Sequence, residues 1–381
     1  MAVNEVRTAA RPLPQTVLRE ATDRRLLDET IRRGRATRAE LADATGYSRP
    51  TVSEAVKRLV AAGLLDATGL QETGRRGRVG TFHSLGARAG WVLALELDQS
   101  GPHARAADLA GRPLADHRRP PTAPGDVAAL VASARAVVAA LTAEVGPHRG
   151  PLRAAGVSVA NPVDPRTHEI VALPGTPFPE GVLSPAELLG DLGAPVLVDN
   201  DVNLATLAEH RAGAAAGAES FAYVFVGAGL GVGLYLGDRL VRGAHGLAGE
   251  IGYLPAAGPV TLAGELAAAG FGRSDAPSND IAAALAVLDR GPADPALAHL
   301  TGAVSRAIAS VAAVVDPELI LLGGPVGTHP ALLPPVRDAL RGLFPGPTRL
   351  AHGALGTGAP LQGALHLALD HARAAAVAPQ P

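Results

Sequence analysis

The sequence predicts a multidomain chain in which a small N-terminal helical module with a β-wing precedes a larger α/β part in two lobes. Three observations predict it. Residues 37–65 read as two short helices hinged at Gly46 and lead into an arginine-tipped hairpin. From Trp91 onward short apolar strands alternate with helices, the pattern of an α/β fold. The charge divides between the same two regions: residues 1–85 hold 15 basic and 10 acidic side chains, net +5, leaving net −7 for the remainder of a chain whose total is −2.

Taken in order, residues 1–17 contain Pro12 and Pro14 and little apolar periodicity, as suits a flexible arm. Thr22–Arg33 gives a helix that can pack through Leu26, Leu27 and Ile31. Thr37 is placed to cap the next helix, with Glu40 completing a capping box. Gly46 supplies a turn that a side chain tolerates poorly. Ser48 can then cap a second helix whose first turn suits Pro50 and whose buried face carries Val52, Val56, Leu59 and Val60.

The opposite face presents Arg49, Thr51, Ser53, Glu54, Lys57 and Arg58, and Arg38 opens the preceding helix. Such groups suit phosphate oxygens and base edges in a DNA major groove. Alone the pattern fits an ordinary helical hairpin equally well. The hairpin over Thr68–His83, with Arg75, Arg76 and Arg78 at its glycine-flanked tip, makes residues 18–85 a winged helix-turn-helix, and double-stranded DNA the expected partner. The other use of such a module is protein interaction.

No cysteine is present, which excludes disulfides, thiolate metal sites and cysteine nucleophiles. No long uncharged apolar run suggests a membrane span, and MAVNEVRTAARPLPQ lacks a signal peptide's apolar core, so a cytoplasmic protein without a membrane partner is expected. Beyond the link at residues 84–90, strands are expected at 91–97, 104–109, 154–159, 195–198, 221–226 and 231–236. Helices are expected at 126–145, 184–192, 202–211, 261–270, 278–288, 295–315, 331–343 and 361–375. These divide residues 90–381 into one lobe at about 90–200 plus the C-terminal helix and a second at about 200–360.

Three stretches carry this part's chemistry. VDNDVNLATLAE (198–209) sets Asp199, Asn200 and Asp201 between a strand and a helix, where side chains face a cleft. GAGLGVG (227–233) and HGLAGEIGY (245–253), the latter carrying Glu250 and Tyr253, are glycine-rich loops, and DPELILLGGP (316–325) is a buried strand ending in paired glycines. Glycines at such places can also serve only tight turns.

Together and in this order these motifs resemble the ROK family (repressors, open reading frames and sugar kinases), and the winged helix ahead of them resembles its xylose-repressor-like branch. The resemblance implies an actin-like, sugar-kinase, RNase H-like two-lobed α/β domain that dimerises and binds sugar in its cleft. It assigns Asp201 to the family's catalytic base with Asn200 beside it, and Glu250 and Glu265 to sugar-binding glutamates. Asp201 can alternatively cap the helix at Val202, and Glu265 can lie on a solvated helix face.

Departures from the family matter equally. Where its kinases carry an Asp-x-Gly-Gly-Thr phosphate loop, this chain has Glu96, Leu97, Asp98, Gln99 and Ser100, which adds bulk and a negative charge where phosphates need donors. Tyr253 replaces the histidine of the family's zinc motif, whose cysteines are absent, and Gly175 or Thr176 replaces a loop asparagine. The expectation is a non-enzymatic transcriptional regulator, read as a repressor, that needs no cofactor or metal. Its partners are a palindromic operator, a carbohydrate-like effector and a second copy of itself or a higher even oligomer. The alternatives are a sugar kinase with an accessory DNA-binding domain and a ligand-independent dimeric regulator.

Overall fold

The computed structural model describes residues 15–70, 80–123, 126–171, 184–256, 260–273 and 278–378. The first helix, α1 (Gln15–Arg33), starts seven residues ahead of the expected Thr22, so the last three residues assigned to the arm are helical; residues 1–14 lie outside the described residues. A short strand, β1 (Arg35–Thr37), not anticipated from the sequence, leads to α2 (Arg38–Thr45) and α3 (Arg49–Ala61).

Local chemistry sets these boundaries. Thr37 Oγ1 accepts from the Glu40 amide while the Glu40 carboxylate accepts from the Thr37 amide at 2.7 Å, closing the capping box. Gly46 stops α2 at φ 74°, and Ser48 caps α3 by accepting from the Thr51 amide. Val52, Ala55, Val56 and Leu59 form the buried face of α3, whereas Val60 lies largely outside it. The wing strands β2 (Leu65–Leu70) and β3 (Thr81–Leu85) pair antiparallel, and β1 joins the other side of β3.

Lobe one contains β4 (Trp91–Leu97), β5 (His103–Asp108), β6 (Pro113–Arg118), α4 (Val127–Arg149), β7 (Leu152–Val159), α5 (Pro185–Leu189) and β8 (Val196–Asn200). It is followed by α6 (Asp201–Ala212). Its sheet runs β6-β5-β4-β7-β8, with β4, β7 and β8 parallel. The second lobe begins with β9 (Ser220–Val226), β10 (Leu230–Leu236) and β11 (Arg239–Leu240). After α7 (Leu262–Leu266), α8 (Ile281–Arg290) and α9 (Ala296–Val315) come β12 (Leu319–Gly323), α10 (Gly324–Gly327), α11 (Leu333–Leu343), β13 (Leu350–His352) and α12 (Ala359–Ala376). Its sheet runs β11-β10-β9-β12-β13. Each sheet thus has an antiparallel meander on one flank and parallel strands on the other, in the same chain order: the lobes repeat one topology.

The helix expected over 261–270 is α-helical to Leu266 and continues as a π-helical turn over Ala267–Phe271, where Gly270 departs to φ 92°. Two helices, α4 and α9, are long and apolar enough by composition to cross a bilayer, against the expectation that none would be. Each turns its apolar residues into a core: Val137, Val138 and Leu141 of α4 against the first sheet, Leu300, Val304 and Ile308 of α9 within lobe two. That is the role of a core helix in a water-soluble fold.

Candidate nucleic-acid interface and effector cleft

The first site is the outer face of α2 and α3. Arg38, Ser48, Arg49, Pro50, Thr51 and Lys57 are all exposed, and Ser53 is partly so. Arg38 Nη1 reaches Ser53 Oγ at 3.5 Å, so the start of α2 and the middle of α3 share one surface. Among the described residues Lys57 pairs with Glu54, at 2.6 Å and one helical turn away, an exposed and therefore weak ion pair. Arg35 lies over the Phe82 ring, 4.5 Å from its centroid, which ties the edge of this surface to the wing. Arg75, Arg76 and Arg78 lie outside the described residues.

Arg58 is placed differently. Its guanidinium turns inward from α3 and forms a two-point ion pair with Asp23 of α1, whose carboxylate is only 7 % exposed. Arg58 therefore braces α3 against α1 through a pair that keeps its guanidinium turned from the exposed face. Arg58→Ala would strand a buried carboxylate and is expected to destabilise the module by about 1–3 kcal/mol. Lys57→Ala should leave its stability within about 0.5 kcal/mol. Denaturant unfolding followed by helical circular dichroism separates the two.

The second site is the cleft at the C-terminal ends of β4 and β8. Three neighbours expected to face it divide their roles. Asp199, 3 % exposed, accepts from Arg242 at 2.6 Å and from Asn203 Nδ2 at 3.1 Å, a buried brace. Asn200, and not Asp201, is the N-cap of α6: its Oδ1 accepts from the amides of Val202 and Asn203, and its Nδ2 donates to the Asn161 carbonyl. Asp201 is the first residue of α6 and accepts from the Val202 amide at 2.8 Å. Burial pushes its carboxyl up to about 7, reinforced by the charges of Glu250 and Asp98.

Glu250 is positioned by the residue before it. Gly249, at φ 99°, lies so close to β10 that a Cβ would overlap the Val232 carbonyl oxygen, and the Val232 amide donates to the Gly249 carbonyl at 2.8 Å. Glu250 is thereby held near Asp201 and its own carboxyl is raised by burial. Tyr253, one turn on and half exposed, feels the Glu250 charge. Glu265 pairs with Arg306 of α9 at 2.5 Å. The cleft also includes Glu96, which the sequence placed only in the degenerate loop. At 8 % exposure it is pushed up to about 8 by burial, then by Asp98 and Asp201.

The Glu96–Ser100 loop is closed on itself. Asp98 Oδ1 accepts from the Ser100 amide at 2.8 Å, Asp98 Oδ2 from the Ser100 hydroxyl at 3.2 Å, and the Asp98 carbonyl from Gly101. The glycine turn after β9 keeps its shape through a Gly227 amide to Gly229 carbonyl bond and through Asn279, which donates to the carbonyls of Gly227 and Ala228. The paired glycines have a packing explanation: a Cβ on Gly323 would overlap the Tyr223 ring. The loop at Gly175 and Thr176 lies outside the described residues, and among the described residues no group of three or more His, Asp or Glu could hold a metal ion.

Comparison with known proteins decides the family. The ROK family model matches residues 103–371, and a winged helix-turn-helix DNA-binding model matches residues 19–66. The chain belongs to the ROK family. The ROK region is 34 % identical over 264 residues to the bifunctional enzyme NanE/NanK of Brucella melitensis, covering 65 % of this chain and 48 % of that protein. It is 23 % identical over 250 residues to the xylose repressor of Bacillus subtilis, covering 63 % and 62 %. The chain thus spans about half the length of the NanE/NanK relative. Among solved structures, a ROK family transcriptional regulator homologous to the Escherichia coli MLC protein superposes with TM-score 0.71 at 20 % identity, over 94 % of this chain and 98 % of that one. The ROK glucokinase of Streptomyces griseus, solved with glucose and AMPPNP, superposes with TM-score 0.56 at 23 % identity, over 73 % and 99 %. The fold is a winged helix followed by an actin-like, sugar-kinase-type ROK domain.

Proposed function

We propose that this chain is a cytoplasmic DNA-binding transcriptional regulator, a repressor of carbohydrate-related genes, whose ROK domain binds a sugar or related metabolite without phosphorylating it. The observation that carries the reading is the open cationic face of α3, set in a winged helix ahead of a cleft whose phosphate loop is closed by Asp98. A triphosphate at that loop would meet a carboxylate and find the Ser100 amide already used. Asp201, Glu250 and Tyr253 remain in the cleft as partners for hydroxyl groups. One winged helix reads few base pairs, so the working unit is a homodimer or higher even oligomer on a palindromic operator.

The test is to select duplexes from a random pool with the purified protein, then titrate pentoses, hexoses and N-acetylhexosamines into the free and duplex-bound forms. An effector should shift duplex affinity by about 1–3 kcal/mol, and linkage requires the reciprocal shift in its own affinity. Selected sites without two-fold symmetry, bound by a monomer, would contradict the dimeric half of the reading. The kinase alternative is favoured by the 34 % identity to NanE/NanK and by the intact turn at Gly227–Gly229. Sugar-dependent ATP consumption by the pure protein would establish it in place of a regulator that does no chemistry. Silence against every sugar, with duplex binding intact, would leave the ROK domain as a dimerisation scaffold.

A further inference from the structure

The winged helix and lobe one share one continuous apolar core, to which α12 contributes. Leu361, Ala364, Leu365, Ala368 and Leu369 of α12 lie in the same continuous core as Leu26 and Leu27 of α1, Val56 and Leu59 of α3, and Val92 and Ala94 of β4. The other side of α12 meets α6, the helix that begins at Asp201. Two glycines make these contacts backbone to backbone. A Cβ on Gly363 would overlap the Leu204 carbonyl oxygen of α6, and a Cβ on Gly156 of β7 would overlap the Ala364 carbonyl oxygen of α12. Contacts of that kind have no side-chain layer to absorb a shift. At the far end Arg211 of α6 pairs with Asp370 of α12 at 2.8 Å, and Arg373 is fixed by donating to the Leu109 carbonyl.

We propose that α6 and α12 move as one body, and that the apolar core shared by α12, β4 and the winged helix carries movement of the cleft's Asp201 to the DNA-binding module. Asp28 of α1 marks where the body meets the DNA-binding module. Its half-buried carboxyl is raised by burial, opposed by Arg373 and Arg24 and reinforced by Asp370, so charges from α12 reach α1. The ion pairs are partly exposed and individually weak. The mechanical link is the shared core together with the two close backbone contacts at Gly363 and Gly156.

The inference rests on the DNA-binding reading, and its test separates the two. Trp91, the chain's only tryptophan, is buried at the start of β4 and reports unfolding of lobe one. A bound selected duplex should raise the Trp91 unfolding midpoint by several degrees, and hydrogen exchange should slow in the first turns of α6, residues 201–206. Gly363→Ala, which wedges α12 from α6, should keep the Trp91 shift and lose the slowing in α6. Should that variant fail to fold, the native chain still decides. A duplex that binds but leaves both the Trp91 midpoint and the α6 amides unchanged overturns the relay alone. A chain that binds no duplex overturns the DNA reading and the relay with it.

Discussion

Arg49→Ala is expected to weaken binding to a selected duplex by about 1–3 kcal/mol and to relax preference at the base pair it contacts, because Arg49 stands exposed at the first position of α3. Lys57→Ala should act differently. On the proposed reading its side chain, paired among the described residues with its helical neighbour Glu54, is a phosphate contact, so affinity should fall about equally for all sequences and the slope of log affinity against log salt should shrink by about one. Anisotropy titrations of both variants on selected and scrambled duplexes, between about 50 and 200 mM salt, separate these outcomes. Equal losses on both duplexes for Arg49→Ala would remove it from base readout. Unchanged binding in both variants would remove α3 from the interface.

Much of the DNA-binding module was legible because its signals are local. Thr37 and Glu40, Gly46, and Ser48 with Pro50 mark helix ends within a few residues of themselves, and each sits where that chemistry predicts. The pairing of Arg58 was not legible for the opposite reason. It shares the polar stripe of Lys57 by periodicity, and only Asp23, 35 residues earlier on another helix, turns it inward.

The cleft shows the same limit. In Asp199, Asn200 and Asp201 the sequence presents three polar residues at a strand-to-helix junction, but their roles depend on Asn161, from the loop after β7, and on Arg242 and Glu250, from the loop after β11. The pairing of Glu265 with Arg306 of α9 was hidden in the same way. Glu96 sits at the end of an otherwise apolar strand, WVLALEL, and that lone carboxylate was the available signal that the cleft held a further acid. The strands that escaped notice, β1, β6, β11 and β13, are short or polar, and pairing with neighbours defines them more than their own pattern does.

The acidic cleft has a consequence for stability that runs opposite to that of salt-bridged carboxylates. In the unfolded chain Glu96 ionises near its ordinary value of 4.5, whereas burial, Asp98 and Asp201 hold it protonated to about 8 in the folded protein; Asp201 likewise rises from 3.8 to about 7. Through these two groups the native state binds more protons than the unfolded state across this window, a contribution that lowers stability as pH rises from about 5 to about 8, while His83, His210, His352 and His366, whose pKa values burial lowers, contribute in the opposite sense. At about 1.4 kcal/mol per pH unit of pKa displacement, the Glu96 contribution is on the order of a few kcal/mol. Glu96→Gln removes the ionisation while keeping the shape. It should be more stable than the native chain at pH 8, match it near pH 5, and flatten the pH dependence of the Trp91 unfolding midpoint by several degrees. Asp201→Asn should flatten it over a window ending nearer pH 7. A Glu96→Gln chain less stable than the native one at pH 8 would mean that the carboxylate is charged and partnered in the fold, and the cleft would then hold a fixed negative charge at neutral pH.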